Sequence, residues 1–115
     1  MHITLIKGYL GQTAFHMACN NNNLEIVEMI LKKSTEVNID LNATDCDTFT
    51  AFHRACDEGL RGRRVVTMMM IYLETTNLNI KALDKDGRTG LQIARENECW
   101  ELEDLIVRPV FKLSR

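Results

Sequence analysis

Two heptads in this chain are nearly identical: Thr13 to Cys19 reads TAFHMAC and Thr50 to Cys56 reads TAFHRAC. A third copy, TGLQIAR, begins at Thr89, so the three threonines are spaced by 37 and 39 residues. The echo extends beyond the heptads. LEIVEMIL (24–31) returns as RRVVTMMM (63–70) and more faintly as WELEDLIV (100–107), and LNATD (41–45) returns as IKALD (80–84). Self-similarity at a fixed period dictates stacked units, because one such unit is too small to bury its own apolar face. A chain of 115 residues then holds three of them in one domain.

Each unit reads as two helices. Phe15, Ala18 and Cys19 fall at i, i+3 and i+4, a narrow apolar face with small residues on it. Thr13 is placed to cap that helix, its hydroxyl taking a first-turn N–H. Ile26, Val27, Ile30 and Leu31 form a wider stripe on the second helix, matched by Val65, Val66, Met69, Met70 and Leu73. NNNN (20–23) and DEGLRG (57–62) are turn material. VNIDLNA and NLNIKAL alternate apolar and polar residues, which predicts extended limbs between units.

The recurring text resembles the ankyrin repeat, on Gly11-Gln12-Thr13-Ala14-Phe15-His16-Met17-Ala18-Cys19 for the first helix and Leu41-Asn42-Ala43-Thr44-Asp45 for the linker. Asp84-Lys85-Asp86-Gly87-Arg88-Thr89 matches the hairpin tip. The resemblance covers residues 4–107. It implies an all-α solenoid of stacked helix–turn–helix units with hairpin-like loops, divided at about 8–44, 45–83 and 84–115. The departures are specific. Ala14, Ala51 and Gly90 stand where the family has proline, Thr48 replaces the tip glycine, and Asn22 replaces the glycine between helices. The first two units also carry four extra residues after the second helix, in KKSTEVNID and IYLETTNLN. Four residues are about one helical turn, so the second helix is expected to lengthen without rotating its apolar face.

The repeated His-x-x-Cys invites a zinc reading, since His and Cys are both acceptable ligands. Stacking opposes it: equivalent positions in neighbouring units lie about 10 Å apart, the spacing of packed helices. The resemblance implies instead that the histidines bond backbone in a neighbouring loop and that Cys19 and Cys56 pack. Met69 and Met70 read as core filler rather than a soft-metal surface. Arg61-Gly62-Arg63-Arg64 reads as a solvated loop before it reads as a phosphate or acidic-partner contact. The acidic run Glu96, Glu98, Glu101, Glu103 and Asp104 reads as the outer face of a terminal helix. Trp100 could pack on that end or face solvent, and a hydrophobic cap from Trp100, Leu105 and Phe111 competes with a frayed end.

No phosphate-binding glycine loop, G-x-S-x-G, H-E-x-x-H or CxxC occurs, so no catalytic, cofactor or metal site is expected. A net charge of −2 gives no general pull toward nucleic acid, and no stretch approaches the ~20 apolar residues that span a bilayer. Four scattered cysteines suit a reducing, intracellular setting better than a disulfide-stapled one. The resemblance implies a protein partner bound on the concave face and loop tips by a monomer or weakly self-associating chain. The contact positions it implies are Tyr9, Leu10, Gln12, Asn20 and Asn21 in the first unit. They are Cys46, Asp47, Phe49, Asp57 and Glu58 in the second, and Lys85, Asp86, Arg88, Glu96 and Asn97 in the third. Tyr9, Leu10 and Phe49 are the most informative, being apolar at places that face solvent, although Phe49 and Leu10 could equally cover the hairpin edge. A regulatory fragment of a larger enzyme or channel, or a self-associating unit, are the competing readings.

Overall fold

The computed structural model describes residues 13–108. Within them the chain forms α1 (Ala14–Asn20), α2 (Leu24–Lys33), α3 (Ala51–Asp57), α4 (Arg63–Ile71), α5 (Gly90–Glu96) and α6 (Trp100–Val107). Successive pairs stack in register, so that α1, α3 and α5 make one layer and α2, α4 and α6 the other. The architecture is an all-α solenoid.

The first helix of each pair is only seven residues long. Helices that short are not stable alone, so caps and packing must hold them. Thr13, Thr50 and Thr89 each accept the N–H of the residue three places on, and that residue's side chain accepts the threonine N–H in return. This reciprocal cap satisfies two donors that would otherwise be orphaned at the helix start. On the inner side, Phe15, Cys19, Phe52, Ala55 and Cys56 are buried, and the second layer contributes Val27, Ile30, Leu31, Val65, Val66, Met69 and Met70.

The turns between paired helices need a left-handed residue. Gly59 supplies it in the second unit with φ +67°, but Asn22 and Glu98 adopt φ +56° in the first and third. The hairpin tips repeat the pattern, with Gly87 at φ +77° and Thr48 at φ +62°. Asparagine tolerates this region, whereas β-branched threonine is strained there. A bond offsets part of that strain: Thr48 Oγ1 accepts the Lys85 N–H at 2.6 Å, tying one tip to the next. Gly62 answers a different demand, because a Cβ there would lie 2.1 Å from the Ala55 carbonyl oxygen.

The extra residues of the first two units do not add a full helical turn. α2 has ten residues and α4 nine, against eight in α6. The remainder is spent in turns at 34–36 and in a 3-10 turn at Leu73–Thr75. Hydroxyl groups account for the early stop. Ser34 and Thr35 donate to the Leu31 and Lys32 carbonyls at 2.7 Å, and Thr76 donates to Tyr72 at 2.8 Å, so side chains take the last carbonyls that a longer helix would use. The limbs that follow bury Ile39, Leu41 and Leu78, as their alternation predicts. They are bent rather than straight: Asp40 accepts the Asn42 N–H and Asn79 accepts the Lys81 N–H, each at 3.0 Å. Asn42 then clamps the next limb, donating to Asn77 O and accepting from Asn79 N, both at 2.8 Å.

Candidate protein-binding surface

The hairpin tips are built around two buried aspartates that sequence reasoning did not single out. Asp45 Oδ1 accepts the N–H groups of Asp47 and Phe49 at 2.9 and 3.0 Å, and its Oδ2 accepts Arg54 Nε at 2.7 Å. Asp84 repeats the arrangement with Asp86 and Arg88 backbone N–H at 2.9 and 2.8 Å and the Arg88 Nε at 3.0 Å. Burial pushes the Asp84 carboxyl up, but the Arg88 and Asp86 backbone donors and the Arg88 guanidinium together hold it below the usual carboxylate range. Burial likewise works against the Arg54 charge, yet its bonds to Asp45 and Asp47 leave the pKa above the ordinary arginine value. The recurrence of aspartate at 45 and 84 in LNATD and IKALD was the available signal.

Phe49 joins the two tips. Its ring stacks on His53 with centroids 5.3 Å apart, and the Arg54 and Arg88 guanidiniums lie 4.6 and 5.9 Å from its centre. The residue is half-buried, so it covers the hairpin edge while leaving part of the ring open. Arg54 also bonds Asp47 at 2.9 Å, and Arg88 bonds Glu96 on α5 at 2.8 Å. Asn97 Nδ2 donates to Asp57 at 3.3 Å, linking the ends of α3 and α5. Asp47, Phe49, Arg88, Glu96, Asn97 and Asp57 therefore form one connected surface. Cys46, Lys85 and Asp86 are exposed on the same tips and Asn21 is exposed at the end of α1. Asn20 and Glu58 are half-buried, and Glu58 pairs with Arg61 at 3.3 Å. Tyr9, Leu10 and Gln12, and Phe111 of the suggested cap, lie outside the described residues.

The histidines occupy structural positions. Thr50 donates its N–H to His53 Nδ1 at 3.1 Å, which leaves the ring proton on Nε2 to be donated to the Arg88 carbonyl at 2.9 Å. His16 does the same with Thr13 N at 3.2 Å and the Phe49 carbonyl at 2.8 Å. Each imidazole thus caps its own helix and holds the following hairpin. Burial raises the Cys19 and Cys56 thiols well above their ordinary pKa, which disfavours the thiolate a metal would bind. Among the described residues no three His, Cys, Asp or Glu side chains gather as a metal site.

Arg63 and Arg64 are exposed at the start of α4, in the layer away from the tips. Arg63 lines a shallow groove with Glu101, Asp104, Leu105 and Arg108. Met69 and Met70 are buried, as their spacing predicts, and Trp100 is 57% exposed. Among the described residues no helix is long and apolar enough to cross a membrane.

Paired helices stacked through capped first helices and hydrogen-bonded hairpin tips define a helical-repeat protein. The family model for ankyrin repeats (3 copies) matches residues 2–77. The chain belongs to the ankyrin-repeat family. It is 30% identical over 98 residues to the B-cell lymphoma 3 protein homolog of Mus musculus, covering 84% of this chain and 20% of that protein. It is 28% identical over 104 residues to the putative ankyrin repeat protein FPV031 of Fowlpox virus (strain NVSL), covering 90% of this chain and 29% of that one. The chain therefore spans less than a third of either relative. The crystal structure of EF0377, an ankyrin repeat protein, superposes with a TM-score of 0.74 at 16% identity, over 89% of this chain and 49% of that chain. Ankyrin repeats are in general protein–protein interaction modules without catalysis of their own.

Proposed function

We propose that this chain is a non-catalytic recognition module that binds a protein partner across its hairpin tips and the open face of α1, α3 and α5. The observation that carries this reading is the rigid, connected tip surface. Asp45, Asp84 and the Phe49 cluster fix the loops from below, while Asp47, Asp86, Glu96 and Asn97 face solvent. Loops that are already ordered lose little conformational freedom on binding, which favours affinity. Tyr9, Leu10 and Gln12 belong to the same proposed surface through the family resemblance, as do Asn20, Asn21, Cys46, Asp57, Glu58, Lys85 and Arg88. The module works inside the cell, as a monomer or weakly associating chain, without metal or cofactor.

Capture from cell extract tests the assignment. The Tyr9→Ala/Phe49→Ala double variant, checked for helix content by circular dichroism, is expected to lose the captured partner. Arg63→Ala/Arg64→Ala is expected to retain it. The opposite pattern would move the site to the second-helix layer.

A further inference from the structure

We infer that the leading edge of α1 and α2, where a preceding unit would stack, is a docking surface for an ankyrin helix pair supplied by another chain. This edge is separate from the hairpin tips. Aligning LEIVEMIL, RRVVTMMM and WELEDLIV places Ile26, Val65 and Leu102 at one position of the repeat. Val65 and Leu102 are fully buried, whereas Ile26 is 38% exposed. One turn on, Met68 and Leu105 pack partly against the core while Met29 is 50% exposed. In the other layer Ala51 and Gly90 are buried, and Ala14 is only half-buried. The third unit shows what closes such an edge. A Cβ at Gly90 would lie 2.6 Å from the Phe52 ring and 2.9 Å from Cys56 Sγ, so the preceding helix pair presses against it. The groove along α6 is likewise lined by Glu101, Asp104, Leu105 and Arg108 together with Arg63 of α4. The equivalent groove on α2 is lined by Glu25, Ile26, Glu28, Met29 and Lys32, so its described wall is α2 alone.

The internal junctions define the chemistry of the occupant. They bury Phe15, Cys19 and Val27 of the first unit and Phe52, Cys56 and Val66 of the second. A helix pair with such residues on its trailing face would remove Ile26 and Met29 from water and continue the same junction. A second copy of this chain, stacked head to tail, is a poor match. Its trailing end carries the Arg95–Glu103 pair at 2.9 Å. Seating that pair on Ile26 and Met29 would strip both charges of water without adding a bond to either. The two open ends therefore differ in kind: the trailing end is polar, as a terminal unit requires for solubility, and the leading end keeps the apolar positions of an inner junction.

The probe that tests this is the chain itself with four substitutions. Arg95→Cys/Glu103→Val restores an apolar trailing face, and Ile26→Lys/Met29→Lys blocks the probe's own leading edge. Labelled and kept reduced, the probe is titrated with the unmodified chain and followed by fluorescence anisotropy. Saturable one-to-one binding is expected. It should weaken at least tenfold when the titrated chain carries Ile26→Lys/Met29→Lys. Ile71→Lys, at a comparably exposed apolar residue of α4, should leave binding unchanged. Circular dichroism checks the helix content of every variant, and a second probe with Arg95→Ala/Glu103→Leu replaces the first if that one fails to fold. Absence of binding to the unmodified chain would overturn the inference, as would equal losses from the leading-edge and Ile71 variants. A dimer of the unmodified chain that Ile26→Lys/Met29→Lys abolishes would also overturn it, by making a second copy the occupant.

Discussion

Where the first two units carry Cys19 and Cys56, the third carries Arg95, and where they carry Val27 and Val66 it carries Glu103. The four apolar residues are buried in the junctions between units. Arg95 Nε and Glu103 Oε2 instead meet at 2.9 Å on an open end, with side chains 51% and 28% exposed. The same lattice position is thus apolar where another unit covers it and an ion pair where none does among the described residues. Gln92 shows the same logic. It accepts the Thr89 N–H at 2.9 Å and so completes the helix cap as His16 and His53 do. Those histidines use a second nitrogen to hold the next hairpin, and among the described residues no hairpin follows Gln92. What reads as a degenerate copy in sequence is, among the described residues, a unit with one covered face and one open face that carries polar side chains.

The largest test of this contrast is Phe52→Ala against Leu91→Ala, which occupy the same position in successive units. Phe52 is 1% exposed, and a Cβ added at Gly90 would lie 2.6 Å from its ring, so the 2–3 junction is closely filled. Its truncation is expected to cost about 3–5 kcal/mol. Leu91 is only half-buried, and its truncation should cost on the order of 1 kcal/mol. Urea unfolding measures both. Equal losses would mean that something outside the described residues covers the third unit.

Next in size is His53→Ala against Gln92→Ala. Removing His53 leaves the buried Thr50 N–H and the Arg88 carbonyl without their partner, an expected loss of about 2–3 kcal/mol. Gln92→Ala removes only the cap, about 1 kcal/mol or less. A larger effect at Gln92 would contradict the division between local and inter-unit bonding.

Acid should act on the hairpin tips before it acts on the apolar junctions. The folded Asp84 carboxyl is held below its unfolded value of about 3.9. Its contribution is therefore fully present above that pH and is lost as pH falls through the folded pKa. Asp84→Asn should be less stable than the unmodified chain at pH 7, with the gap closing at acid pH below about 4. A gap that stays constant down to pH 3 would show that the carboxylate charge contributes nothing.

These tests separate what was legible in the sequence from what was not. The stacked architecture, the threonine caps and the buried methionines follow from periodicity and spacing, and the structural histidines from the family resemblance. They depend on contacts within a unit or on its exact repetition. The tip aspartates were missed because their role depends on backbone N–H groups two and four residues on, which no hydrophobic pattern encodes. The double guanidinium contact on Phe49 was missed for a related reason: Arg54 comes from a helix and Arg88 from the next hairpin. The length of the second helices was overestimated because Ser34, Thr35 and Thr76 stop them with side-chain bonds.

The smallest expected effect is at the Arg95–Glu103 pair, and it bears most directly on why the third unit differs. An ion pair between partly exposed side chains contributes about 0–1 kcal/mol, since water screens the attraction and ordering two side chains opposes it. A double-mutant cycle of Arg95→Ala and Glu103→Ala in urea should therefore return a coupling below about 1 kcal/mol that shrinks further in high salt. Restoring the inner-unit residues, Arg95→Cys with Glu103→Val, should leave monomer stability nearly unchanged while exposing a junction-like apolar face beside Val107, which is already 50% exposed. Such a face favours association, so sedimentation of this variant should reveal concentration-dependent oligomers absent from the unmodified chain. If the coupling instead reaches 2–3 kcal/mol and the Cys/Val variant stays monomeric, the pair is a shielded part of the core. The open-end account of the third unit would then be wrong.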